Sequence, residues 1–140
     1  MAARPKRKPP RTKQTEAEIP TAFILAELKS VCASRQFARS ARLREFLHFM
    51  VQKRLKGEIE SLKEYAIGVD VFGKKETFDQ RKDAIVRVQA NRLRRKLKLY
   101  YATEGVSNLI RLTVPTGGFV PSFLQRGEVT TTRNSDSRLP

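Results

Sequence analysis

The chain has 140 residues, with 29 Lys or Arg against 14 Asp or Glu, so its formal net charge is +15 at pH 7. This charge favours a polyanionic partner, because each neutralised phosphate releases counterions and long-range attraction speeds encounter. No apolar run approaches the roughly 20 residues that span a bilayer, so we favour nucleic acid over a membrane surface. Cys32 is the only cysteine and His48 the only histidine, which excludes an internal disulfide and argues against a zinc finger or a Cys/His catalytic pair.

The two ends of the chain are polar and differ from its middle. Residues 1–18 contain Pro5, Pro9, Pro10 and many basic side chains, a composition that predicts a disordered basic arm. The arm either follows DNA phosphates or the minor groove, or is only a solubilising tail. No apolar stretch with a cleavage site follows it, so we expect a cytoplasmic protein. Residues 125–140 are predicted to be a disordered tail, which leaves a single domain over 19–124.

Apolar residues at helical spacing begin this domain. Ile24, Leu28 and Val31 predict a helix over 20–34. A second helix is predicted between an N-cap at Ser40 and a stop at Gly57. Its apolar stripe is Leu43, Phe46, Leu47, Met50 and Val51.

Two further helices follow. Ser61 and Glu64 have the spacing of a capping box and predict a third helix that stops at Gly73. A charged loop over 74–83 comes next, in which Phe78 is expected to pack its ring against the domain. The fourth helix is predicted over about 83–103, capped by Asp83. Its apolar stripe is Val86, Ala90, Leu93 and Leu97, and Tyr100 and Tyr101 are expected to close the core rather than stack on bases.

A β-hairpin is predicted after the helices. Ile110, Leu112 and Val114 alternate with polar residues, and a second alternation follows a turn at 115–118. The alternating residues of the second strand are Phe119, Pro121 and Phe123. The predicted fold class is therefore mainly α with a C-terminal β-hairpin (α+β): a winged helix-turn-helix of about four helices and a two-stranded wing.

The fourth helix carries the strongest functional signal. Between Ile85 and Tyr101 it has six positive residues and no acidic one, although like charges one turn apart repel and weaken a helix. A polyanion would relieve that repulsion, whereas the alternative is a solvated cationic face. Arg87, Asn91 and Arg95 are four apart and can enter one major groove together, where guanidinium suits guanine and carboxamide suits adenine. Arg92 lies toward the flank, and Arg94, Lys96 and Lys98 suit backbone phosphates.

The segment VRVQANRLRRKL, followed by TVPTGGF, resembles the DNA-binding domain of the OmpR/PhoB family of response regulators. VDVFG resembles that family's ending of the helix before the loop. The core over 24–123 is also similar to small winged-helix domains of bacterial regulatory proteins, with LKEY, VFG, FD and a glycine wing. Pro115 and Thr116 depart from the basic residues usual in these wings, so minor-groove reading is not predicted. We expect no receiver domain in this sequence, so the resemblance does not imply control by phosphorylation.

The resemblance implies base contacts from Arg87, Gln89, Asn91 and Arg92, and phosphate contacts from Arg94 and Arg95. Spacing instead places Arg95 in the groove, so its role stays open. The full set of expected phosphate contacts is Arg94, Arg95, Lys98, Lys63 and Arg111, and the wing is Thr116, Gly117 and Gly118. The resemblance also implies a contact with RNA polymerase through 74–83, although a charged loop is more often a solvated connector.

We therefore expect a transcription regulator that inserts helix 84–103 into the major groove of double-stranded DNA, with dimerisation left open. The alternatives are a nucleic-acid binder without sequence preference and a winged-helix module that binds proteins in bacterial signalling. No catalytic pair, metal cluster or phosphate loop can be assembled from these residues, so no enzyme activity, metal or cofactor is expected.

Overall fold

The computed structural model describes residues 19–125, and the predicted arm and nearly all of the predicted tail lie outside them. The helices are α1 (Thr21–Cys32), α2 (Ala41–Lys56), α3 (Glu64–Asp70) and α4 (Ile85–Ala102). Strands β1 (Ile110–Thr113) and β2 (Ser122–Gln125) form an antiparallel hairpin in which Leu112 lies opposite Phe123. The α+β class with a C-terminal hairpin is confirmed. Gln125, assigned to the tail by the sequence analysis, is instead the last residue of β2.

The predicted start of the third helix is wrong. Ser61 lies in a short 3₁₀ helix, Ile59–Leu62, and Lys63 occupies the N-cap position of α3 without a capping side chain. Lys63 is extended, with φ −100° and ψ 153°, so the helix cannot run through Ser61. The 3₁₀ turn buries Leu62, and that burial outweighs the local capping signal. The helix also ends at Asp70, before the predicted stop.

The second helix begins and ends where expected, but its start is held differently. Ser40 occupies the N-cap position without a side-chain hydrogen bond. Instead, Arg44 Nη1 donates to the carbonyl oxygens of Phe37 and Ala38, at 2.6 and 2.9 Å, and so fixes the turn before α2. Gly57 ends the helix with φ 76°, a left-handed conformation that glycine adopts without steric cost.

The core lies between the helices and the inner face of the hairpin. The predicted stripes of α2 and α4 are buried, including Phe46 and Leu47 from α2 and Leu93 from α4. Leu112 and Phe123 cover this core from the hairpin. Since α4 packs against α3, α2 and β1, three elements clamp its inward side.

The loop over 74–83 is anchored by Phe78, as the sequence predicted. Its half-buried ring stacks against Tyr65, with centroids 6.1 Å apart. The ring also lies directly against the backbone of Gly68, where an added Cβ would come within 2.8 Å of Phe78 Cδ2. Gly68 therefore stands inside a helix, despite its poor helix propensity, because a larger residue would displace this ring.

A buried polar network joins α1, α4 and β1. The Tyr101 hydroxyl donates to Glu27 Oε2 at 2.8 Å and accepts from the Leu112 amide at 2.9 Å. Asn108 Nδ2 donates to the same carboxylate oxygen at 2.9 Å and to the Tyr100 hydroxyl at 3.1 Å. Both tyrosines are 4% exposed, so they close the core as expected. Burial raises the pKa of Tyr101, so its hydroxyl stays protonated as a donor.

Replacing Tyr101 by Phe is expected to lower the free energy of unfolding by about 1–3 kcal/mol, because the Leu112 amide and Glu27 each lose a buried partner. Tyr65→Phe is the matched control: its hydroxyl donates to the Glu76 carbonyl at an exposed site, and its loss should cost only about 0.5 kcal/mol. Urea unfolding of both variants measures the difference. Equal losses would show that the network does not join the three elements.

Candidate nucleic-acid interface

Asp83 stabilises the turn that precedes helix α4. Asp83 Oδ1 accepts from the Ile85 amide at 3.1 Å, and Oδ2 lies 3.0 Å from Lys74 Nζ. These bonds, chiefly the one from Lys74, hold the pKa of Asp83 below its ordinary value. The stabilisation is therefore present above the pKa of the unfolded chain and is lost as the pH falls through the lower folded value. The predicted cap is wrong by one residue: Ala84 occupies the N-cap position, and Asp83 contacts the first amide of the helix from the position before it.

The side of α4 away from the core is exposed and cationic. Its stripe faces inward, whereas five predicted DNA-contacting residues are exposed: Arg87, Asn91, Arg92, Arg95 and Lys98. No acidic residue occurs in the 18 residues of this helix. Gln89 differs, because it lies about 200° around the axis from Asn91 and is half-buried. Asn91 and Gln89 therefore do not share a face, and a base contact from Gln89 stays a prediction.

Arg87 is bound within the protein. Its Nε donates to Glu64 Oε2 at 2.9 Å and its Nη2 donates to the Gln80 carbonyl at 2.7 Å. The Glu64 side chain is only 15% exposed, so a carboxylate from α3 lies directly beside the cationic face. Sequence reasoning had given Glu64 a capping role and missed this pairing. Base contact by Arg87 stays a prediction, and it would require Arg87 to exchange or share these partners.

Arg94 links α4 to the hairpin. Its Nε donates to the Val114 carbonyl at 2.8 Å, and its Nη2 donates to the carbonyls of Gly118 at 2.7 Å and Pro115 at 3.2 Å. Its Nη1 donates to Asn91 Oδ1 at 2.7 Å. Desolvation by burial lowers the pKa of this guanidinium. Arg94 thus has four acceptors within the protein, and the phosphate contact expected from its sequence position stays a prediction.

Four cations of α4 have no hydrogen-bonded or ion-paired partner among residues 19–125: the half-buried Lys96 and the exposed Arg92, Arg95 and Lys98. Arg95 lies one turn beyond Asn91 on the same face. Because these charges are unpaired, their mutual repulsion is not relieved within the described part of the chain. We call Asn91, Arg92, Arg95 and Lys98 the α4 face.

Two further predicted phosphate contacts lie outside α4. The Lys63 Nζ atom is 3.6 Å from Glu60 Oε1, and its side chain is 65% exposed. The Arg111 guanidinium lies over the Tyr101 ring, 4.9 Å from its centroid. Arg111 and Lys98 both line an open cleft of about 560 Å³ between α4 and β1. The structure therefore brings Arg111 close to the α4 face.

The wing tip carries no charge. Thr116 and Gly117 are exposed and Gly118 is half-buried, and residues 115–121 contain no Lys or Arg. Gly117 has φ 92°, which lets the chain turn between the strands. The carbonyls of this turn accept from Arg94, so the backbone of the wing supports α4.

The loop over 74–83 is held by contacts with α3 and α4 and by contacts of its own. Lys74 pairs with Asp83, and Asp79 accepts from the Arg81 amide at 3.0 Å. These contacts agree with a structured connector and do not identify a partner. The RNA polymerase contact implied by the resemblance stays a prediction.

Comparison with models of protein families, with curated protein sequences and with solved structures gives no match for this chain. The resemblance to response-regulator domains therefore rests on the quoted residues alone. Across residues 19–125, no helix has the length and apolar character needed to cross a membrane. The same residues contain no group of three or more His, Cys, Asp or Glu placed to hold a metal ion.

The conformation of the wing turn can be tested at its adjacent glycines. Gly117→Ala should lower the free energy of unfolding by about 1 kcal/mol, because an L side chain is strained at positive φ. Gly118→Ala is the control, since its φ is outside that region and its Cβ would meet open space; we expect a change within about 0.5 kcal/mol. Urea unfolding measures both. A larger loss for Gly118→Ala would contradict the described turn.

Proposed function

We propose that this chain is a DNA-binding transcription regulator that inserts α4 into the major groove of double-stranded DNA. The observation that carries the proposal is the α4 face, where three unpaired cations surround an exposed Asn91 on a helix without acidic residues. An α-helix fits the major groove, and the density of positive charge suits its phosphate walls. The core clamps the opposite side of the helix, as insertion requires.

The residues of the face divide by chemistry. Asn91 and Arg95, one turn apart, have the donors and acceptors that read base edges. Arg92 lies toward the flank of the same face. Lys98 extends this face toward the cleft that Arg111 also lines. Lys98 and Arg111 suit contacts with phosphates, which position a protein on DNA without specifying the sequence. Lys63, exposed before α3, is a further phosphate contact in this proposal.

A second candidate is a nucleic-acid binder without sequence preference. Two observations favour it: Arg87 and Arg94 have protein partners, and the wing tip has no cation. Few side chains are then left for reading bases. Selection from a random-sequence DNA pool separates the two, because a consensus supports the regulator, whereas a steep salt dependence without consensus supports the general binder. If the protein does not bind DNA at low salt, both candidates are refuted and the remaining alternative is a winged-helix module that binds proteins.

Two α4 substitutions should separate base reading from phosphate binding. Asn91→Ala should relax the preference for one base pair of the selected sequence, whereas Lys98→Ala should weaken binding to all sequences and reduce the salt slope by about 0.9. Lys29→Ala, which removes an exposed lysine from α1, is the matched control and should leave both unchanged. Fluorescence anisotropy across a salt series provides the measurement. Equal losses on every sequence for Asn91→Ala and Lys98→Ala would refute sequence reading.

Glu64 offers a gain-of-affinity test. Glu64→Gln removes the carboxylate beside the α4 face and frees Arg87 from its charged partner, so binding to any duplex should tighten by about two- to fivefold at low salt. Glu45→Gln, an exposed carboxylate on α2, should give a smaller change. Unchanged or weaker binding with Glu64→Gln would show that α3 and the start of α4 do not approach the DNA.

A further inference from the structure

The amide of Asn91 is held in one orientation by Arg94. A guanidinium has only donors, so the Asn91 atom that faces Arg94 Nη1 at 2.7 Å must be the oxygen. Exchanging the oxygen and nitrogen by rotating the amide would set two donors against each other. The hydrogens of the Asn91 NH₂ group are therefore left for an external acceptor, and Asn91 is exposed.

Arg94 itself cannot turn away easily. Three wing carbonyls, from Val114, Pro115 and Gly118, accept from its Nε and Nη2. A charged donor makes these bonds stronger than neutral ones. The orientation of Asn91 is thus linked through one guanidinium to the backbone of the wing.

We propose that Arg94 is a positioning residue that makes Asn91 present donors to the DNA and so select guanine. This inference rests on the proposed function. An unrestrained Asn pairs with adenine by accepting from N6 and donating to N7. Here the Asn91 oxygen already accepts from a cation, which disfavours the adenine amino group. Guanine presents two acceptors, N7 and O6, and both suit an NH₂ donor.

The test uses the full chain and the duplex recovered from the random-sequence pool. The base pair whose preference Asn91→Ala relaxes is the Asn91 contact, and all four pairs are then compared there. The wild type should prefer guanine over adenine by about fivefold, and 7-deazaguanine, which lacks the N7 acceptor, should lose about as much. Neither difference should survive in Asn91→Ala.

Arg94→Lys tests the positioning role, because a lysine cannot bridge the wing carbonyls and Asn91 at once. It should reduce the guanine preference or shift it to adenine, while Arg42→Lys, which changes an exposed arginine of α2 in the same way, should keep guanine. A purely structural role would weaken binding to all four pairs alike and leave the preference intact, and that result would overturn the proposal.

The outcomes distinguish a failure of this inference from a failure of the proposed function. No consensus from the pool refutes the proposed regulator and the inference together. A consensus with an A·T pair at the Asn91 contact refutes only the inference. If Arg94→Lys does not fold, the comparison of guanine, adenine and 7-deazaguanine with wild type and Asn91→Ala still tests the guanine preference, and its absence would overturn the proposal.

Discussion

Burial of the apolar stripe of α4 fixes everything that the opposite side of the helix can do. The apolar stripe is at most 3% exposed at each of its four members, Val86, Ala90, Leu93 and Leu97. Rotating the helix would expose these side chains to water, at a free-energy cost of roughly 25 cal/mol per Å² of apolar surface. Tyr101 adds a directional constraint, because its hydroxyl joins α1 and β1. Whatever lies about 180° from this stripe must therefore face solvent or a partner.

The charge on that outer side is handled in two ways. Arg87 and Arg94 are directed toward acceptors in α3, the following loop and the wing, which relieves part of the repulsion within the helix. Arg92, Arg95 and Lys98 have no such partner among the described residues. A polyanion is the ligand class that would remove the remaining repulsion, because these three charges are exposed on the outer side of one helix.

Much of the fold follows from periodicity, because α2 and α4 have long stripes whose burial dominates their energetics. The third helix was misplaced because the Ser61 and Glu64 spacing competes with burial of Leu62, which local rules do not include. The hydrogen bonds from Arg94 to the hairpin were missed for another reason. Three of the four acceptors of Arg94 are backbone carbonyls 20 to 24 residues away, and since every residue carries a carbonyl, no sequence signal marks them. The same holds for Arg87 and the Gln80 carbonyl.

The hydrogen bonds to Arg94 give the wing a structural role. Pro115 and Thr116 replace the basic residues expected from the resemblance, and residues 115–121 contain no Lys or Arg. The turn nevertheless directs three carbonyls at Arg94, which requires the chain reversal that Gly117 permits with φ 92°. The hairpin thus acts on α4 through its backbone, as a support that holds one guanidinium and, through it, Asn91. In the proposed function, a wing of this kind would contribute to recognition by orienting Asn91 through Arg94, without a charged contact of its own.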